Sequence, residues 1–337
     1  MTLWLQKQWM RFTCWHLLLL PVSWLFALLS ATRRQLYKIG FLKSHRLGVP
    51  VIVVGNINVG GTGKTPLVIW LVEQLKLAGY CPGVVSRGYG GNVRQVTEVK
   101  VSSLSSEVGD EPLLIALRSG CPVFVSSNRV NAAEALLNAY PACNVVVSDD
   151  GLQHYRMQRD VEIVVYDGAK RFGNGALLPA GPLRESIARL KMVDAIVCNG
   201  QDFQVDSQEN LACFEMQLEA TDFYNLVDAH VKCDAKALQQ KKIWAVAGIG
   251  NPERFFLKLQ QMGLAFERRA FTDHYAFQES DFSALTADVV VMTEKDAVKC
   301  KFFAHSNFWV LPVNAVIEND LMAVVLSKLN RKKLNGS

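Results

Sequence analysis

Residues 51–75 read VIVVGNINVGGTGKTPLVIWLVEQL, a glycine-rich turn set between an apolar run and a helical pattern. In that order the turn forms a phosphate-binding loop. Its backbone N–H groups and the following helix N-terminus surround a triphosphate such as that of ATP. The loop comprises Asn58, Val59, Gly60, Gly61, Thr62, Gly63, Lys64 and Thr65. Lys64 adds a point charge toward the phosphates, and the Thr65 hydroxyl is placed for Mg²⁺. The first glycine of the usual pattern is replaced by Asn58, a residue type that tolerates a left-handed backbone better than most. A loop of this kind needs an acid at the end of a neighbouring buried strand to complete the magnesium shell. NVVVSDDGLQH supplies Asp149 and Asp150, with Gly151 to turn the chain and His154 four residues beyond Asp150.

Two further groups could handle a proton. In VGDEPLL, Asp110 and Glu111 precede Pro112 at an expected helix start. They serve either as helix caps or as a carboxylate that orients or deprotonates an attacking hydroxyl. In DHY, at 273–275, His274 is a second possible base or a structural histidine.

The elements that must carry these residues alternate between apolar β-rich runs and helical patterns. Strands are expected at 49–54, 82–86, 123–126, 144–148, 161–166 and 195–198, and helices at 66–78, 112–118 and 130–139. Continuous apolar runs fit strands buried on both faces of a parallel sheet, so the fold class is α/β, P-loop NTPase-like. A smaller α/β block begins near Lys242. There IWAVAGIGNPERFFLKLQQMGL reads strand, turn, helix, and VVVMTEKDAVK and FWVLPV read as two more strands. The expected division is 1–46 for an N-terminal helix and basic flank, 47–213 for the P-loop domain, 214–241 for a linker and 242–337 for the smaller domain. RKKLNGS ends the chain as a solvated tail.

With 337 residues, half of them apolar and 20% charged, the chain can bury a large core, which excludes global disorder. The eight cysteines, no two closer than fifteen positions, exclude a zinc knuckle or a dense disulfide framework. The net charge of +5 is unevenly placed: eight basic residues and no acid precede Glu73. These bases flank the apolar segment 15–31, whose reach as a helix is about 26 Å. Trp4, Trp9, Trp15 and Trp24 lie in or beside it, and Arg33, Arg34 and Lys38 follow. This pattern fits a helix lying in the membrane interface beside anionic lipid, not a nucleic-acid binder, and no obligate protein partner is evident.

Seven motifs occur in an order seen in one family: NVGGTGKTP, SRGYGG, VGDEP, SDDGLQH, FGNGALLPAGPLRE, AGIGNPERFF and TEKDAVK. Together they resemble the tetraacyldisaccharide 4′-kinases of lipid A biosynthesis, over nearly the whole chain. The resemblance implies transfer of the ATP γ-phosphate to the 4′-hydroxyl of a tetraacylated glucosamine disaccharide 1-phosphate that stays in the membrane. It places the enzyme on the cytoplasmic face of the bacterial inner membrane. It also implies that Asp110 is the catalytic base acting with His274, and that Asp149 and Asp150 lie on the magnesium side. Arg129, Arg184 and Glu185, with Glu111, become candidates for phosphate, metal or substrate contacts. The alternative is a membrane ATPase or GTPase switch without a lipid acceptor. Against it, Val59 stands where partition-type ATPases carry a second lysine, and TEKD has its lysine one place late for guanine recognition.

Overall fold

The computed structural model describes residues 8–200, 211–283, 286–317 and 320–335. Residues 1–7, which include Trp4, and the last two residues of the expected tail lie outside the described residues; the stretch before them is the end of a helix, not a loose tail.

The apolar runs form strands, as their patterning requires. β1 (Val51–Gly55) is fully buried and lies between β5 (Val145–Asp149) and β6 (Val161–Asp167), parallel to both. Beyond β5 come β2 (Pro82–Ser86), β4 (Val123–Val125) and the short antiparallel β3 (Thr97–Glu98). Beyond β6 come β7 (Ala195–Asn199) and β8 (Cys213–Ala220). Period-two alternation divides β1 between two cores. Ile52 and Val54 pack with Leu67, Leu71 and Leu75 of α2 (Lys64–Leu77) and with α3 (Asp110–Ser119). Val51 and Val53 pack on the other face with Val130, Ala133 and Leu136 of α4 (Arg129–Ala139). Helices therefore cover both faces, and the strand order turns about β1. A ligand crevice is expected at the carboxyl ends of strands at such a point.

The second sheet runs β10 (Lys232–Cys233), β9 (Phe223–Asn225), β14 (Phe308–Leu311), β13 (Val289–Thr293), β11 (Ile243–Ala247), β12 (Phe266–Ala270). Its last four strands are parallel. Against it pack α5 (Pro252–Gln261) and α6 (Glu294–Cys300).

The expected division into domains needs correction. The stretch 214–241 is not a linker, because β8 extends the first sheet while β9 and β10 begin the second. The C-terminal block is not one unit either. β15 (Val313–Ile317) returns to the first sheet, antiparallel to β8, and α7 (Leu321–Asn335) places Leu321, Val325 and Leu329 in the first core. The chain thus leaves the first sheet after Ala220 and re-enters it at Val313, and Thr221 N–H bonds the Pro312 carbonyl (3.3 Å) where the two crossings meet. TEKDAVK is also corrected: the strand stops at Thr293. The Thr293 hydroxyl accepts the Asp296 N–H (3.2 Å) and so caps a helix.

The N-terminal helix α1 (Cys14–Lys38) is longer than the apolar segment because its basic flank continues the helix to about 37 Å. It is the one helix among the described residues long and apolar enough to cross a membrane. Its attachment to the body is polar. The Ser23 hydroxyl donates to the Leu177 carbonyl (2.9 Å) and accepts the Ala180 N–H (3.0 Å), and Arg34 pairs with Glu185 (3.6 Å). Leu17, Leu18, Val22, Trp24, Leu25, Leu28 and Leu29 are exposed on it.

Candidate active site

β1 delivers the chain into the phosphate loop, and α2 begins at Lys64 directly after Gly63. Gly63 has φ 93°, and a Cβ there would lie 2.4 Å from Asn199 Nδ2, which itself donates to the Thr62 carbonyl (3.0 Å). Asn58 does not take up a left-handed backbone; the loop's positive φ values fall on Gly60 and Gly63. The reason is non-local. Asn58 forms an antiparallel bridge with Leu183, its Nδ2 donates to the Arg171 carbonyl (3.3 Å), and Val59 N–H bonds the Pro182 carbonyl (2.8 Å). The 171–184 segment therefore braces the loop from outside and brings in Arg184, whose N–H bonds the Ile57 carbonyl (2.6 Å).

Three cations converge on Asp150. Lys64 Nζ lies 3.5 Å from Oδ1, Arg184 lies 3.2 Å from Oδ2, and the Arg129 guanidinium donates to the Asp150 carbonyl (2.8 Å). Burial alone would raise the Asp150 carboxyl, but Lys64, Arg184 and Arg129 outweigh it and hold its pKa at about 2. Asp149 behaves oppositely. It is fully buried at the end of β5, and burial, Glu111 and Asp150 push its pKa up to about 7 against the pull of Lys64 and Ser86. Its Oδ2 accepts the Ser86 hydroxyl (3.0 Å), while its Oδ1 and the Ser148 hydroxyl are buried without partners. An orphaned oxygen on buried Asp149, next to the half-buried Asp150 carboxylate, is a donor set that fits a hard divalent cation. Among the described residues no cluster of three or more His, Cys, Asp or Glu could hold a metal on its own.

The other half of the site lies where α3 meets the second sheet. Asp110 opens α3 and is buried, and its Oδ1 lies 2.9 Å from His274 Nδ1. Burial would raise the Asp110 carboxyl, but the His274 hydrogen bond, Lys295 and Lys299 hold it below the ordinary carboxylate range. His274 adopts φ 58° and packs edge-on against Tyr89, with ring centroids 5.1 Å apart. Gly109, just before Asp110, has φ 91° and ψ 147°, a region essentially restricted to glycine, and a Cβ there would sit 2.7 Å from the Tyr89 carbonyl oxygen. Gly109→Ala is therefore expected to cost about 1–3 kcal/mol and to displace Asp110. A thermal melt and a kcat measurement should show both losses together.

The expected residues thus gather in two adjoining groups. Lys64, Arg129 and Arg184 gather around Asp150 next to Asp149 at the end of β5, while Asp110, Glu111 and His274 meet across the cleft. Glu111 links the groups through its effect on Asp149. Glu185 sits beside the loop, its N–H on the Ile57 carbonyl (3.3 Å), and its carboxylate accepts the Tyr155 hydroxyl (2.7 Å) and pairs with Arg189 and Arg34. His154 is not paired with an acid. Burial, with Arg129 and Arg159 nearby, drives its pKa down to about 4, so it is a neutral imidazole at working pH. Sequence reasoning missed Lys295, which bonds Glu111 (2.9 Å) and approaches Asp110 and Asp273. It also missed Arg254, which donates to Asn199 (2.9 Å) and ties α5 to the phosphate loop. Both lie in quoted motifs, TEKDAVK and AGIGNPERFF, which carried the signal without assigning the side chains.

A phosphate loop at the centre of a doubly wound sheet, an acid pair at the adjacent strand end and a carboxylate–imidazole pair across the cleft define an ATP-dependent P-loop kinase. Known proteins agree. The family model for tetraacyldisaccharide-1-P 4′-kinase matches residues 15–330. The tetraacyldisaccharide 4′-kinase of Methylobacillus flagellatus is 50% identical over 97% of this chain and 96% of its own. That of an Azoarcus species is 48% identical over 93% and 92%. The solved structure of LpxK from Aquifex aeolicus with ATP superimposes with a TM-score of 0.79 at 29% identity, covering 93% of this chain and 99% of that one. The chain belongs to the tetraacyldisaccharide 4′-kinase family, whose members phosphorylate the lipid A disaccharide with ATP. The comparisons give no support to a nucleotide switch without a lipid acceptor.

Proposed function

We propose that in this lipid A disaccharide 4′-kinase Asp110 is the base that receives the proton of the 4′-hydroxyl. The observation that supports this is the 2.9 Å contact between Asp110 and His274, made across the cleft beside the phosphate loop. A sugar hydroxyl is a weak nucleophile until a base within hydrogen-bond reach takes its proton. The 4′-oxygen forms the new bond to the γ-phosphorus as the bond to the β-phosphate oxygen breaks. The proton passes to the Asp110 carboxylate, and ADP leaves. Lys64 and Arg184 face the phosphates, where charge on the transferring oxygens must be neutralised. Mg²⁺, held by Thr65 with Asp149 and Asp150 in the reading above, would neutralise charge on the β- and γ-phosphate oxygens. A cleft closed by the second sheet keeps water from the γ-phosphate.

The enzyme would work at the cytoplasmic face of the bacterial inner membrane. α1 holds the body by Ser23 and its basic end while turning leucines and Trp24 outward, which suits a helix set into the interface beside the site. The lipid substrate then meets the cleft without leaving the bilayer. Its test is transfer of labelled γ-phosphate from ATP to the tetraacyl disaccharide 1-phosphate in mixed micelles, with labelled lipid as the readout. ATP hydrolysis without labelled lipid would defeat it. A paired Trp24→Glu, Leu25→Glu variant should bind vesicles containing anionic lipid more than tenfold less tightly, since each large apolar side chain contributes about 1.5–3 kcal/mol. Sedimentation with such vesicles reads this directly.

A further inference from the structure

Three carboxylates and an imidazole surround one ammonium in the cleft. Lys295, the second residue of α6, places Nζ 2.9 Å from Glu111 Oε1, 3.4 Å from Asp273 Oδ1, 3.4 Å from His274 Nε2 and 3.9 Å from Asp110 Oδ2. Burial opposes its charge, yet Glu111, Asp110 and Asp273 outweigh burial, so it stays a cation. An ammonium carries donors only. Toward His274 Nε2, which also lies 3.8 Å from Asp273 Oδ2, it can only donate, and this contact favours a lone pair on Nε2 with the ring proton on Nδ1. Nδ1–H then donates to Asp110 Oδ1 at 2.9 Å. Oδ1 also accepts the Glu111 N–H (3.1 Å), so it is doubly occupied, whereas Oδ2 is buried with no hydrogen-bond partner.

We propose that Lys295 is a positioning residue for phosphoryl transfer: it fixes the His274 tautomer and thereby leaves Asp110 Oδ2 as the oxygen that meets the acceptor hydroxyl. The inference rests on the reading of Asp110 as the base. Lys295 is delivered by the second sheet, whereas Asp110 and Glu111 belong to the first, so the same contacts make the state of the base depend on the two sheets meeting. The charged groups facing Asp110 are His274 and Asp273 from the 271–275 turn, Lys295 and Lys299 from α6, and Glu111 on its own helix. Removing the Lys295 charge leaves the acids of this group with less compensation. Asp110 then takes up a proton at higher pH than in the parent protein.

The experiment uses the full chain and compares Lys295→Met with Lys295→Arg, measuring labelled transfer across pH. Lys295→Met is expected to lower kcat on the order of 10- to 100-fold, a part of the 10²–10⁴ that a positioned base supplies. Its KM for ATP should stay within about twofold, and the acid limb of its kcat profile should move to higher pH. Lys295→Arg, which restores donors and charge, should recover most of the rate. In ¹⁵N-histidine-labelled protein, with the His274 signals identified by their loss in His274→Gln, the parent should show the Nδ1–H tautomer and Lys295→Met a mixture. A parent pH profile in Lys295→Met, or an unchanged His274 tautomer, overturns the proposal; so does an equal loss in Lys295→Arg without a shift of the acid limb. If Lys295→Met melts early, Lys295→Gln takes its place in the same comparison. Asp110→Asn is run in parallel. Full turnover in that variant removes the base itself, whereas an inactive Asp110→Asn beside a normal Lys295→Met removes only the role of the lysine.

Discussion

Asp110→Asn should lower transfer to the lipid by about 10²–10⁴-fold, the contribution of a positioned base, while leaving ATP affinity within about twofold. Asparagine keeps the shape of the side chain, and its amide oxygen can still accept from His274 Nδ1, so the pocket should fold as before. What it cannot do is take a proton. His274, Lys295 and Lys299 hold the Asp110 carboxyl below the ordinary range against its burial, so in the parent protein the base is already ionised at neutral pH. Its protonation limits the rate only in acid, as pH falls through that lowered value. The kcat of the parent should therefore be flat with respect to Asp110 around neutrality, and the loss in Asp110→Asn should be the same at pH 7 and pH 8. Asp110→Glu separates two roles for the carboxylate: a longer base with partial activity keeps proton transfer but loses alignment. A kcat in Asp110→Asn within threefold of the parent would mean that the carboxylate only orients the hydroxyl.

How much of this site could be read from the sequence depends on how local each piece is. The phosphate loop was legible because strand, turn and helix start follow one another within fifteen residues, and the φ of 93° at Gly63 is a demand of the turn itself, whereas the close approach of Asn199 to it is not local. Asp149 and Asp150 were legible because a strand of Val145, Val146 and Val147 can end on acids only where something compensates them. The conformation of Asn58 was not, because the 182–183 segment, more than a hundred residues later, sets it. β8 escaped notice for a different reason. It lies near the sheet edge, covered unevenly, and CFEMQLEA lacks the continuous apolar run of the inner strands. The return of β15 and α7 to the first core is a long-range pairing with no local trace. Thr293 is the instructive case: the capping pattern of Thr293 and Asp296 was present, and it would have ended the strand, started α6 and aimed Lys295 at the cleft.

Lys64 is where charge neutralisation can be tested apart from proton transfer. Its ammonium lies 3.5 Å from Asp150 Oδ1 at the first position of α2, so in the proposed complex it would face the phosphates from the helix N-terminus while anchored to an acid. Lys64→Ala removes a fixed charge aimed at the transferring group, for which losses of about 10²–10³ in kcat are typical. Asp150 would keep Arg184 and Arg129 as partners, so the fold should survive and the melting temperature should change little. Asp149, already held near 7 by burial and its acid neighbours, would lose the first of the influences that lower it and so rise further. Unlike Asp110→Asn, this variant should weaken ATP binding as well as turnover, since the lysine faces the ground-state triphosphate and the transition state alike. The two variants therefore predict different signatures: an unchanged KM for ATP with a collapsed kcat for Asp110→Asn, and losses in both for Lys64→Ala. Initial rates at varied ATP with saturating lipid distinguish them. If Lys64→Ala retained parental kcat and KM, Arg184 and Arg129 would have to carry the phosphate charge, and the loop's lysine would be reduced to a partner of Asp150.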